Sequence, residues 1–268
     1  MLKRGKDIRS FMLLFIVVYL YLAFFFISLI PKKRREYKII DNESEEKYSR
    51  MKRCMETIQK GFRRVLKLCR IKLTVLHPEQ LDLGEPILYV ANHRGFLDII
   101  SVFSLLIHPT GFLSKKELKK IPLLRDWMDL SGSVFVNREE PKYALEAVHA
   151  ASQHMKDGLS IWVFPEGTRS TDPDELHLAE FKAGSLKIAF KNSCPIVPVA
   201  ISHSDRVWER QFPRLISKQH LIIKFGEPIQ TKTMTPQERK ELPALLQNEV
   251  KNLLMDIQQI RRDLQEEI

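Results

Sequence analysis

The chain has 268 residues, enough for one substantial core domain with additions, or at most two small domains. With 44% hydrophobic and 28% charged residues it is not a disordered polymer. The net charge of +10 is concentrated at the start: residues 1–80 carry 19 Lys/Arg against 8 Asp/Glu, and residues 81–268 carry 24 against 25. One end of the protein therefore meets an anionic surface, membrane or nucleic acid. Three scattered cysteines (Cys54, Cys69, Cys194) exclude a disulfide framework or a zinc site and point to a reducing compartment.

Phe11 to Ile30 is an uncharged apolar run followed at once by Pro31-Lys32-Lys33-Arg34-Arg35. Its 20 residues would span about 30 Å as a helix, the thickness of a bilayer core. A cleaved signal peptide would have a shorter apolar core, so the run predicts a single-pass anchor within residues 1–40. Basic residues flank both sides, and the positive-inside rule leans towards a cytoplasmic main domain at the membrane.

Residues 41–75 predict a basic amphipathic helix. Asn42 and Glu45 have capping-box spacing, and Met51, Met55, Ile58, Phe62, Val65 and Cys69 form one apolar stripe. Lysines and arginines line the rest. Two readings stay open: a core-packing helix with a solvated basic face, or a helix lying on anionic headgroups. No nucleic-acid recognition motif accompanies the charge, so no nucleic-acid partner is expected.

From residue 76 to 268, short apolar runs alternate with amphipathic stretches. Ile87–Ala91, Gly132–Val136, Ser160–Phe164, Ile196–Ile201 and Leu221–Phe225 predict buried strands, while 97–107, 141–156 and 181–191 predict helices. Thr235-Pro236-Gln237-Glu238 is a capping box for a terminal helix that Pro243 should kink or split. The expectation is an α/β domain with a mixed central sheet flanked by helices and a C-terminal helical region.

The first strand runs into Asn92-His93-Arg94-Gly95-Phe96-Leu97-Asp98. Along one ideal helix, side chains five apart point about 140° away from each other. For His93 and Asp98 to meet, the histidine must lie in the turn and the aspartate in the first helical turn. An ionised Asp98 would then fix the imidazole tautomer and leave Nε2 free to take a proton. The bland alternative is a surface loop whose acid complements a helix dipole.

A second polar turn follows another strand, as Phe164-Pro165-Glu166-Gly167-Thr168-Arg169-Ser170. Gly167 permits close backbone approach, and Arg169 can fork onto a phosphate. Lys182, in a stretch expected to open a helix, Arg138 at the end of Gly132–Arg138, and Lys115 after Phe112-Leu113 add positive charge. Each alone reads as a solvated surface charge; four at strand or turn ends point to a phosphate pocket. The histidines show no pairing at metal-ligand spacing, so no metal is expected.

These residues resemble the membrane-bound glycerolipid acyltransferases of the lysophosphatidic acid acyltransferase type, over about residues 70–230. The four ordered blocks are Asn92-His93-x-x-x-x-Asp98, Gly132-x-x-Phe135-x-x-Arg138, Phe164–Ser170 and Pro195-Ile196-Val197-Pro198-Val199-Ala200. The resemblance implies a catalytic base at His93 oriented by Asp98. It also implies acceptor-phosphate binding by Arg138 and Arg169 with the Glu166-Gly167 pair; together with Asn92, Lys115, Thr168 and Lys182 these form the expected substrate-binding set. The implied reaction moves a fatty acyl group from acyl-CoA or acyl carrier protein, as co-substrate and without a bound cofactor, to the sn-2 hydroxyl of lysophosphatidic acid. Membrane lipids and the lysophospholipid acceptor are the expected partners. Another lysophospholipid acceptor, or a non-catalytic membrane-tethered binding protein, are the alternatives; a His-Asp lipid hydrolase is a third. Gly95, where many relatives carry serine, and Thr171–Leu178, which lacks the usual Asp-Gly turn, depart from the family pattern.

Overall fold

The computed structural model describes residues 2–38, 44–137, 141–210 and 218–266. Seven strands form one sheet: β1 (Lys72–Leu76), β2 (Leu88–Ala91), β3 (Thr110–Lys115), β4 (Val134–Val136), β5 (Ser160–Val163), β6 (Ile196–Ser202) and β7 (His220–Phe225). Their order is β1-β7-β6-β2-β5-β3-β4. The pairs are parallel except β6 with β7, so the sheet is mixed, as expected.

Both faces of the sheet are covered, which is why its central strands read as unbroken apolar runs. Alternation within β2 sorts the two cores: Tyr89 and Ala91 face one cluster, Leu88 and Val90 the other. On the first face lie α1 (Leu2–Ser28), α3 (Ser44–Leu68), α4 (Phe96–Phe103) and α5 (Pro122–Leu130), and on the second α6 (Pro141–Lys156), α7 (Lys187–Asn192) and α8 (Pro236–Glu266). A short helix α2 (Ile30–Tyr37) follows α1.

Several expectations need correction. No single helix among the described residues is long and apolar enough to cross a membrane; instead Ile16–Ser28 and Ile30–Tyr37 form a pair bent by 43° that together meets that test by length and composition. The break falls where Pro31 has no N–H to donate and Ser28 Oγ donates to the Phe25 carbonyl at 2.7 Å. The pair also docks on the domain. Phe25 packs so closely on Gly61 that a Cβ there would collide with its ring, and Lys33 pairs with Asp126 of α5 at 2.5 Å.

The α3 stripe of Met51, Met55, Ile58, Phe62, Val65 and Cys69 is buried in the core. Asn42 lies outside the described residues. The expected boundary at 75/76 cuts through β1, whose backbone pairs with β7 from Lys72 to Leu76; the basic run of α3 continues into this edge strand and disguises it. Strand β3 and helix α5 were not expected. The 181–191 stretch is helical only from Lys187, because i→i−3 bonds such as Leu186 N–H to Ala183 O wind the preceding residues into turns around Gly184.

Helix α8 runs through Pro243 without being split. Leu242, Leu246, Val250, Leu254 and Ile257 are all at most 1% exposed, and this buried stripe outweighs the missing N–H. Its capping box forms as read: Thr235 N–H donates to Glu238 Oε2 at 2.6 Å, and Glu238 N–H to Thr235 Oγ1 at 3.3 Å.

Candidate active site

Strands β6, β2, β5, β3 and β4 run in one direction, so their carboxyl ends share one edge of the sheet. That edge is where open α/β sheets gather their sites. The His93 turn follows β2, the Phe164–Ser170 turn follows the adjacent β5, and Lys115 ends β3 beside it.

His93 lies in the turn and Asp98 in the first turn of α4, with Nδ1 2.8 Å from Oδ2. The same Oδ2 accepts the backbone N–H groups of Arg94 at 2.7 Å and Gly95 at 2.8 Å. Two N–H donors aimed at one oxygen mark it as an acceptor, so Nδ1 carries the proton and Nε2 presents its lone pair. Asp98 has no exposed surface, whereas the His93 side chain keeps 15%. The imidazole is stacked on Phe164, with centroids 4.1 Å apart and planes 16° apart. Ring plane and tautomer are thus fixed by neighbours before any substrate arrives.

Glu166 is buried at 3% exposure. It accepts the His93 N–H at 2.8 Å on one oxygen and the Ala179 N–H at 3.1 Å on the other. Burial pushes its carboxyl above the ordinary range, against the opposing pull of those two amides. Both Glu166 oxygens thus hold backbone around the His93 turn. Ser170 N–H donates to the His93 carbonyl at 2.8 Å and closes that turn from the other side.

Asn92, from the expected binding set, pairs with backbone too. It has no exposed surface, and its amide mimics a strand, donating to Ile201 O at 2.9 Å and accepting Ile201 N–H at 2.8 Å. Gly167 takes a φ of +80°, which glycine adopts without strain, and its N–H donates to Phe164 O at 3.0 Å. That amide is engaged within the tight turn. Thr168, Arg169, Lys115 and Lys182 are exposed. Arg138 lies outside the described residues.

Other side chains support the turn in ways the sequence did not announce. Arg94 is 1% exposed and reaches Asp205 with Nε at 3.1 Å and Nη2 at 2.9 Å, and also bonds the Asp172 carbonyl. Arg210 reaches the same carboxylate at 2.5 Å and Asp172 O at 2.6 Å, so two arginines clamp the loop that departs from the family pattern. Arg169 Nη1 lies 3.3 Å from Glu209 Oε1, which also accepts Phe96 N–H at 2.7 Å. Burial raises the Glu209 carboxyl above its ordinary value. Phe164, Arg94 and Arg169 stand within the sequence blocks, whereas Asp205 and Glu209 lie more than 100 residues from the turn they support. Among the described residues no group of three or more His, Cys, Asp or Glu is arranged to hold a metal ion.

The family model described as Acyltransferase matches residues 72–202. Among curated relatives, the 1-acyl-sn-glycerol-3-phosphate acyltransferase of Saccharomyces cerevisiae is 29% identical over 73% of this chain and 64% of its own length. The protein of that name from Salmonella typhimurium is 31% identical over 53% of this chain and 58% of its own. The chain thus matches less than two thirds of the length of these relatives. The crystal structure of the 1-acyl-sn-glycerophosphate (LPA) acyltransferase PlsC from Thermotoga maritima shares the fold, with a TM-score of 0.72 at 23% identity, covering 92% of this chain and 98% of that one.

Proposed function

We propose that the protein transfers a fatty acyl group from an acyl thioester, acyl-CoA or acyl carrier protein, to the sn-2 hydroxyl of lysophosphatidic acid, giving phosphatidic acid. The observation that carries this reading is the buried Asp98 carboxylate 2.8 Å from His93 Nδ1, with the imidazole still reachable from outside. A hydroxyl is a poor nucleophile at neutral pH, and a positioned imidazole with a free ring nitrogen is well suited to remove its proton. Nε2 of His93 takes the proton as the hydroxyl oxygen attacks the thioester carbonyl. The tetrahedral oxyanion then collapses, the C–S bond breaks, and the imidazolium returns the proton to the departing thiolate. No acyl-enzyme is required, and all three cysteines are buried. Burial also raises their thiols, Cys54 and Cys69 to about 11 and Cys194 to about 12, which suits them poorly as nucleophiles.

Exposed Arg169 and Lys115 at the same sheet edge suit the acceptor's phosphate. The names of the curated relatives support this acceptor. Lipid substrates also suit a protein whose α1 exposes Tyr19, Leu20, Phe24 and Ile27; the bent α1–α2 pair would seat the site at a membrane, with the domain on the cytoplasmic face.

The test is purified protein with a radiolabelled acyl thioester, a panel of lysophospholipids, and chromatography of the products. Labelled phosphatidic acid formed from lysophosphatidic acid supports the reading. Preference for another lysolipid replaces the acceptor, and fatty acid released from phospholipid without a thioester replaces transfer by hydrolysis. A function that survives loss of His93 but not of residues 1–70 replaces catalysis by tethering.

A further inference from the structure

We propose that Glu209 is a positioning residue for acceptor binding: it holds the Arg169 guanidinium beside the His93 turn, with its remaining donors directed to the phosphate of the lysolipid. This rests on the acyl-transfer reading above. Glu209 lies beyond the matched family region, which ends at residue 202, and outside the four sequence blocks.

Its segment is fixed on either side. Trp208 packs on Phe96 with ring centroids 5.6 Å apart, and Arg210 is tied to Asp205 by its side chain at 2.5 Å and by its backbone N–H at 3.0 Å. The Glu209 carboxylate joins two parts of the site, because Oε1 accepts both Phe96 N–H, at the head of the helix that carries Asp98, and Arg169 Nη1. Gly95 leaves room for it: a Cβ there would stand 3.0 Å from Glu209 Oε2.

Arg169 is 53% exposed, so an untethered side chain would sample many rotamers and lose that freedom on gripping a phosphate. Glu209 holds one end in advance. Among the described residues the pair engages only Nη1, which leaves Nε and Nη2 able to fork onto two phosphate oxygens.

A double-mutant cycle tests this. Glu209→Ala should raise the acceptor KM roughly two- to fivefold, as suits loss of a half-exposed ion pair, with little change in the thioester KM. The same substitution on an Arg169→Ala background should leave the acceptor KM where Arg169→Ala alone put it. Glu209→Gln keeps an acceptor for both donors and should hold the acceptor KM within about twofold of wild type. An unchanged acceptor KM in Glu209→Ala overturns the proposal. So does a lowered one, which would make the carboxylate a competitor of the phosphate, or an undiminished effect without Arg169. Thermal-shift titration with lysophosphatidic acid in detergent separates the two claims. Wild type that binds it but transfers no acyl group overturns the proposed function, and Glu209 is then judged on binding alone. An active enzyme whose acceptor binding ignores Glu209 overturns only this inference.

Discussion

The Asp98 carboxylate meets His93 Nδ1 at 2.8 Å through the same oxygen that accepts the Arg94 and Gly95 amides. One buried oxygen therefore both aims the imidazole and shapes the turn that holds it. His93→Ala should abolish acyl transfer while far-UV circular dichroism and the melting temperature stay close to wild type. Asp98→Asn replaces a charged acceptor and loosens the tautomer; turnover should fall by about 10³-fold or more, by analogy with other carboxylate-aimed histidines. Near-normal kcat in a folded Asp98→Asn protein would remove Asp98 from the mechanism.

Asn92 should behave as a structural residue. Asn92→Ala removes two buried hydrogen bonds to Ile201 and should cost about 1–3 kcal/mol of stability. Denaturant titration measures this directly. An acceptor KM raised at wild-type stability would return Asn92 to the binding set.

Gly95 adopts an extended conformation, φ −148° and ψ 165°, open to any residue, so its constraint is space rather than backbone strain. A Cβ would lie 3.0 Å from Glu209 Oε2, 3.1 Å from Ser204 C and 3.2 Å from Asp205 N. Gly95→Ala should push the 204–209 segment outward, lower stability by about 1–3 kcal/mol, and weaken acceptor binding. Wild-type stability with wild-type kinetics would show that the segment yields freely.

His203 gives the fold an acid-sensitive point. Burial, with Arg261 and Arg206 nearby, lowers its pKa from 6.5 to about 3. Between those values the unfolded chain binds the proton and the folded chain does not. The stability His203 contributes is therefore complete above pH 6.5 and drains away as pH falls towards 3, by at most about 1.4 kcal/mol per pH unit. His203 has φ +68°, which asparagine tolerates. His203→Asn should flatten the loss of melting temperature between pH 6.5 and 5; an unchanged slope would assign that loss to other groups.

Much of this was legible in the chain itself. β2, β5, β6 and β7 were visible because strands covered on both faces are apolar throughout, and the Thr235 box because capping is a matter of four adjacent residues. Edge strand β1 hid behind the charges of α3, and β3 hid because only Phe112 and Leu113 of its six residues are large and apolar. The extent of α8 across Pro243 was misread because a local rule competes there with a buried stripe on the sheet.

At the site, residues of the right chemistry were identifiable, but several of their partners were not. The sequence by itself determined the α/β alternation, the turn after β2 with its imidazole and carboxylate, and the polar turn after β5, since each depends on neighbours within a few positions. Only the tertiary structure decided that Asn92 and Glu166 brace backbone, that the α3 stripe faces the core, and that Glu209 meets Arg169. Those outcomes depend on which distant groups the packed sheet brings within hydrogen-bonding reach, and no local pattern encodes that distance.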